Sequence, residues 1–203
     1  MRVLPISRAL LSVTDKSGLE DFAAFLSQSG VELVSTGGTY AALTRAGLEV
    51  TPVDSVTGFP EILGGRVKTL HPHIHAGVLA DKDDPTHLDT LRSMDIAPFD
   101  LVCVNLYDFA RAAREGLPLK AAVEQIDIGG PTLLRAAAKN YHSVLVVPEP
   151  EVYARVVEAM ATGKGGVGLE LRREMAVKTF TLTSAYDAMV AEYLSLAETG
   201  IRA

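Results

Sequence analysis

Five short runs rich in leucine and β-branched residues recur along the chain, at residues 9–13, 31–35, 49–53, 100–106 and 143–148. Most are separated by segments with helical spacing. Strands that alternate with helices must be joined by right-handed crossovers, so the pattern predicts an α/β fold in three layers, a mostly parallel sheet with helices on both faces. Leu19, Phe22, Phe25 and Leu26 fall on one helical face, residues 40–46 make a shorter helix, and Gly30 and Gly47 stand where helix-ending glycines belong. The second half reads as helices over 119–125, over 131–140 with Pro131 at the first helical position, over 151–161, and a long final helix over 169–197.

With 203 residues, 48% of them apolar, the chain has the size of one compact domain, and residues 1–203 are read as one. Its formal charge of −6 and pI near 5.4 disfavour nucleic acid and anionic membrane as partners, while leaving room for a local cluster of Lys and Arg around a small anion. Cys103 is the one cysteine, set in an apolar run, so neither a disulfide framework nor a four-thiolate zinc site can form, and Cys103 reads as a buried strand residue. No apolar run near the N-terminus has signal-peptide length, which points to a cytoplasmic protein.

Residues 54–79 interrupt the regular pattern with Thr57-Gly58-Phe59-Pro60 and Gly64-Gly65, an irregular stretch of a length that is usually functional or disordered. Residues 162–166 read as a flexible loop; it has a lysine and glycines but neither P-loop spacing nor a strand leading in.

Ligands of open parallel sheets bind beyond the carboxyl ends of the strands. Two segments occupy that position. In residues 12–18, after the first run, Thr14 and Lys16 can reach an anion, or Thr14 or Asp15 can cap the next helix. In residues 35–39, paired glycines permit close backbone approach to a phosphate and threonines flank them; an ordinary strand-to-helix turn is the alternative. A third segment, residues 64–69, sets Arg66 and Lys68 two apart, on the same face if the backbone is extended; a solvated charged loop is the alternative. His71, His73 and His75 alternate and could share a strand face, but no carboxylate or thiolate stands at metal-site spacing.

These motifs, in order, resemble the inosine monophosphate cyclohydrolase domain of a bifunctional purine-biosynthesis family. The match includes Ser-Val-Thr-Asp-Lys at 12–16, Ser-Thr-Gly-Gly-Thr at 35–39, Thr-Gly-Phe-Pro-Glu at 57–61 and Gly-Gly-Arg-Val-Lys-Thr-Leu-His-Pro at 64–72. It continues with Asn-Leu-Tyr at 105–107, Glu-Gln-Ile-Asp-Ile-Gly-Gly at 124–130 and Leu-Leu-Arg-Ala-Ala-Ala-Lys-Asn at 133–140. The resemblance implies a methylglyoxal-synthase-like fold with extra C-terminal helices, and dehydrative ring closure of 5-formamidoimidazole-4-carboxamide ribotide to inosine monophosphate. It implies no metal and no organic cofactor. The implied substrate-binding residues are Ser12, Thr14, Asp15, Lys16, Thr36, Gly37, Gly38, Thr39, Arg66, Val67, Lys68, Thr69, Asn105, Asp127 and Ile128.

Closing the ring needs a base for a weakly nucleophilic amide, donors for a developing oxyanion and an acid for departing water. The resemblance implies Lys139 as principal proton-transfer group, Asp127 as orienting or accepting group, and Lys68, Tyr107 and Asn105 at the oxyanion. Each has a plainer reading: Lys139 as a helix C-terminal cation, Asp127 as a cap, Tyr107 as a half-buried strand-end aromatic. The formyltransferase half of the family is absent from the match, leaving a separate formyltransferase domain or protein, and a homodimer, open as partners. A regulatory ligand-binding module of the same fold is the competing reading; it has no use for Asn105, Tyr107, Asp127 and Lys139 together. Methylglyoxal synthase places an aspartate after paired glycines, and none of the four Gly-Gly pairs here precedes Asp.

Overall fold

The computed structural model describes residues 3–107, 109, 114 and 117–198. In chain order the elements are β1 (Val3–Pro5), β2 (Arg8–Ser12), α1 (Leu19–Gln28), β3 (Glu32–Ser35), α2 (Gly37–Arg45), β4 (Thr51–Pro52), α3 (Val53–Thr57), α4 (Pro72–Leu79) and α5 (Pro85–Ser93). There follow β5 (Leu101–Val104), α6 (Leu119–Val123), α7 (Gly129–Lys139), β6 (Leu145–Val147), α8 (Tyr153–Thr162), β7 (Gly166–Gly168) and α9 (Leu169–Glu198).

Strands β2 to β6 form one parallel sheet in the order β4-β3-β2-β5-β6, with Leu10 opposite both Val34 and Val102, and Val102 opposite Val146. All four residues of β5 and all three of β6 are buried, as a parallel sheet covered on both faces requires. The chain moves outward from β2 to β3 and β4, then returns to the other side of β2 for β5 and β6. Right-handed crossovers therefore put α1 and α2 on one face and α7 on the other. The strand order reverses between β2 and β5, and the crevice beyond their carboxyl ends is where this architecture binds ligands.

Helices α1 and α2 both stop in the way their glycines predict. The amide of Gly30 (φ 80°) donates to Ser27 O and that of Val31 to Leu26 O, and Gly47 (φ 80°) and Leu48 repeat the pattern on Thr44 and Leu43. Paired bonds of this kind need a left-handed residue at the turn. The sharp stops set β3 and β4 back into the sheet within a few residues.

Three expectations from the sequence are corrected. The irregular stretch over 54–79 is shorter than its composition suggests, because α3 occupies its start and α4 its end. Pro131 is the third residue of α7, not the first, since Gly129 and Gly130 already have helical geometry. The predicted loop after α8 leads directly into β7, which pairs antiparallel with β1 from Val3↔Gly168 to Pro5↔Gly166. Three-residue strands are too short to show a period, so neither β1 nor β7 was legible.

Candidate active site

The first anion-type loop is built by a single side chain. Asn105, one residue past β5, accepts the Thr14 amide (2.6 Å), the Thr14 hydroxyl (2.8 Å) and the Asp15 amide (3.2 Å) on Oδ1, and donates from Nδ2 to Asp15 O (2.8 Å). Asn105 therefore ties the β2 loop to the end of β5 and fixes the crevice wall at the reversal point. The expectation that it meets an oxyanion is narrowed to its second amide hydrogen, because its carbonyl and the other amide hydrogen are already committed to the loop. The Thr14 hydroxyl has its single proton shared between Asn105 and Leu106 O, so Thr14 is scaffold here as well. Asp15 does not cap α1; its carboxylate accepts the Ser17 amide and hydroxyl, bonds that hold its pKa below the ordinary carboxylate value.

Thr39 is corrected in the same way. Its hydroxyl donates to Val13 O and accepts the Val13 amide, both at 2.9 Å, and the residue is 3% exposed. Ser12 and Thr36 share a hydroxyl–hydroxyl bond of 2.9 Å across the same seam. The two neighbouring loops are thus stitched together, and what they leave facing the crevice is the Gly37-Gly38 backbone.

That backbone is the candidate anion pole. Gly37 has φ 44° and begins α2, whose N-cap Thr36 makes no side-chain cap. Two ammonium groups converge on it from different loops: a Cβ on Gly37 would lie 2.9 Å from Lys68 Nζ, and one on Gly38 4.0 Å from Lys16 Nζ. Glycine is needed at 37 twice over, for the left-handed backbone and for the space the Lys68 ammonium fills. A helix N-terminus with two cations above it favours a dianion. Lys68 is meanwhile paired with Glu61 at 3.0 Å.

Arg66 and Lys68 do not share a face. Residues 62–67 turn back on themselves, with the Ile62 amide on Val67 O, Gly64 and Gly65 at positive φ and Arg66 in helical geometry. Arg66 consequently points to Glu124 beyond α6, forming an exposed ion pair, while Lys68 points to Gly37. Val67 contributes its backbone to the turn, and Thr69 is buried with its hydroxyl oxygen 3.3 Å from where a Cβ on Gly129 would be. Adjacent residues Lys68 and Thr69 therefore touch the start of α2 and the start of α7. The 68–69 segment therefore links the two helix starts.

Asp127 marks the second pole. Its carboxylate accepts the Gly130 amide at 2.8 Å, and a Cβ at Gly130 would collide with it at 2.2 Å. Burial raises its pKa above the ordinary carboxylate value, and the amides of Gly130, Tyr107 and Gly129 pull it partly back. Capping and chemistry are compatible here, because desolvation makes a carboxylate a better proton acceptor even while backbone amides hold it. The Tyr107 amide reaches it, and the side chains of Tyr107 and Ile128 are 51% and 60% exposed.

Lys139 is not brought to this site. It is exposed and is the last residue of α7, whereas Asp127 sits at the opposite end. Eleven residues at 1.5 Å per residue put about 16 Å between the ends, beyond the reach of a lysine side chain. The next residue, Asn140, donates to Val78 O and Ala80 O, at the end of α4 remote from the crevice. The three histidines do not share a strand face either, although the His71 and His73 rings meet edge-on at 5.0 Å. Pro72 starts a helix rather than a strand, so His71 accepts the His73 amide as a cap while His73 turns to Val56 O.

Three participants carried no signal of their own in the sequence. Glu61 and Glu124 lie inside recognised motifs, but only the fold shows that they hold the two cations of the third segment. Tyr186, in the middle of α9, accepts the Asp127 amide at 2.8 Å. A cavity of about 250 Å³ opens beside the anion pole, lined by Thr36, Gly37, Tyr40, Phe59, Glu61 and Lys68 among others. Among the described residues no helix is long and apolar enough to cross a membrane.

Residues 18–132 match the MGS-like domain family, and residues 137–202 match the AICARFT/IMPCHase bienzyme family. The bifunctional purine biosynthesis protein PurH of Lacticaseibacillus casei is 55% identical over 190 residues, covering 93% of this chain and 37% of that protein. PurH of Corynebacterium glutamicum is 52% identical over 190 residues, covering 94% and 36%. The crystal structure of ForH superposes with a TM-score of 0.83 at 37% identity, covering 93% of this chain and 97% of that one. The chain spans little more than a third of the length of the curated relatives it matches.

Proposed function

Because the chain belongs to the MGS-like domain family and matches the AICARFT/IMPCHase bienzyme family over residues 137–202, we propose that it is an inosine monophosphate cyclohydrolase. It closes the second ring of 5-formamidoimidazole-4-carboxamide ribotide in purine biosynthesis. The observation that carries this reading is the convergence of Lys16 and Lys68 on the Gly37-Gly38 amides, linked through Thr69 and Gly129 to the α7 start that holds the Asp127 carboxylate. A phosphate-binding regulatory module would need the first feature and has no use for the second.

In this reading the Gly37 and Gly38 amides with Lys16 hold the ribotide phosphate, and the ligand displaces Glu61 from Lys68 and Glu124 from Arg66. The carboxamide nitrogen attacks the formyl carbon, forming the C–N bond. Asp127 accepts the proton the nitrogen loses, and the Tyr107 hydroxyl stabilises the oxygen as it gains charge, while Lys68 stays with the phosphate beside Gly37. The proton held on Asp127 is then returned to that oxygen, giving a hydroxyl; Asp127 next takes the N–H proton of the former formamido nitrogen as the C=N bond forms and passes it to the departing hydroxyl, which leaves as water. Holding both reacting groups of one molecule together supplies much of the acceleration, since oriented intramolecular reactions reach effective molarities on the order of 10⁵ M. Lys139 is assigned no step, and Lys139→Ala should leave inosine monophosphate affinity within about twofold. A cytoplasmic location and a formyltransferase on a separate domain or protein belong to the same proposal.

The test supplies the formylated ribotide to the purified chain and follows inosine monophosphate by absorbance. Turnover that disappears in Asp127→Ala while product affinity survives supports the reading. Tight binding without turnover by the unaltered chain would favour the regulatory module.

A further inference from the structure

Asp127 lies in the link between α6 and α7, a segment with little packing of its own, yet its carboxylate must stay buried at one spot beside the substrate. The Gly130 amide fixes the carboxylate relative to α7. What fixes the backbone of Asp127 is a group far away in sequence: its amide donates to the hydroxyl of Tyr186 at 2.8 Å. Tyr186 is 5% exposed and projects from the buried face of α9, which packs along α7 and β6. Phe109, itself fully buried, meets the Tyr186 ring edge-on at 6.5 Å and Tyr193 at 5.2 Å, so the tyrosine is held by aromatic packing rather than by its hydroxyl. The hydroxyl is then a fixed acceptor offered to one turn of backbone.

We propose that Tyr186 is the positioning residue of the site, anchoring the Asp127 backbone so that its carboxylate stays desolvated and aimed at the reacting amide. The inference rests on the reading of Asp127 as the proton-handling group and adds to it a residue outside every motif that carries the family resemblance. The ionisable neighbours agree with a structural rather than a proton-transferring part for the phenol. Burial raises its pKa, and the negative charges of Asp127 and Asp187 add to that, so it remains a neutral hydroxyl at working pH. A displacement on the order of 1 Å at a catalytic group can cost about 100-fold in rate, which is the leverage an anchor of this kind has.

The test compares the full chain with Tyr186→Phe, which keeps the ring and removes only the acceptor. Two readouts are taken, kcat and KM for ring closure of the formylated ribotide, and the titration midpoint of the Asp127 carboxyl carbon by NMR. The expected result is a fall in kcat of about tenfold or more with KM within about twofold, together with a midpoint that drops toward the ordinary carboxylate value as the loosened carboxyl meets water. An unchanged midpoint overturns the proposal, and so does a shifted midpoint with kcat intact. If the unaltered chain closes no ring, the functional reading fails, and the midpoint alone then decides whether Tyr186 positions Asp127. Should Tyr186→Phe fail to fold, 3-fluorotyrosine at position 186 keeps the hydroxyl but weakens it as an acceptor. It should move both readouts the same way by a smaller amount, and no movement in either overturns the inference.

Discussion

Thr39→Val separates a ligand contact from a scaffold bond, and the structure commits to the second. Valine keeps the shape of threonine and deletes the hydroxyl that both donates to Val13 O and accepts the Val13 amide. The Val13 amide lies in a buried seam and would be left without a partner, whereas Val13 O keeps the Lys16 ammonium at 3.4 Å. An orphaned buried amide costs roughly 1–3 kcal/mol, a sizeable share of the stability of a domain this size. Urea unfolding followed by circular dichroism should show the midpoint falling with the slope unchanged. Thr36→Val, whose hydroxyl meets only the Ser12 hydroxyl, should lose about 1 kcal/mol or less in the same assay. If Thr39→Val instead loses under about 0.5 kcal/mol while substrate KM rises steeply, Thr39 is a ligand contact and the stitched-loop account is wrong.

Other outcomes follow from the same geometry. Lys68→Met should weaken inosine monophosphate binding by about 10–100-fold, as expected for one lost charge-assisted hydrogen bond, with the melting temperature nearly unmoved; calorimetric titration measures it. Glu124→Gln frees Arg66 from an exposed ion pair and should lower substrate KM by about twofold to fivefold at low salt, an advantage that 0.5 M salt removes. For Asp127 the sign is fixed by its raised pKa. The folded state holds the proton more tightly than the unfolded one, so the stability linked to protonation is complete below the unfolded pKa and is lost as pH rises through the folded one. Asp127→Asn should therefore abolish turnover and raise the melting temperature at neutral pH relative to the parent, with the gain shrinking in acid; a lower melting temperature at pH 7 would contradict the assigned burial cost.

The parallel sheet and the loops at its carboxyl edge were legible because their signals are local. β-branched runs mark β2, β3, β5 and β6, glycines mark the ends of α1 and α2, and the Gly37-Gly38 pair marks the anion pole. What stayed hidden depends on distant contacts. Asn105 and Thr39 have the side chains of ligand-binding residues, and only the pairing of β2 with β5 and the placement of α2 show that backbone consumes them. Arg66 and Lys68 were separated by a turn whose left-handed glycines override the extended reading. Lys139 was assigned by motif, and a helix of known rise carries it away from Asp127. Tyr186 offers no local signal, being one more inward-facing residue of a long helix.

A crystal structure of the chain with inosine monophosphate bears most directly on the single-crevice claim. The phosphate should lie within hydrogen-bond distance of the Gly37 and Gly38 amides and both ammonium groups of Lys16 and Lys68, with the purine ring against Asp127 and Tyr107. A nucleotide seated with its phosphate elsewhere, or with its base turned away from Asp127, would contradict the proposed chemistry.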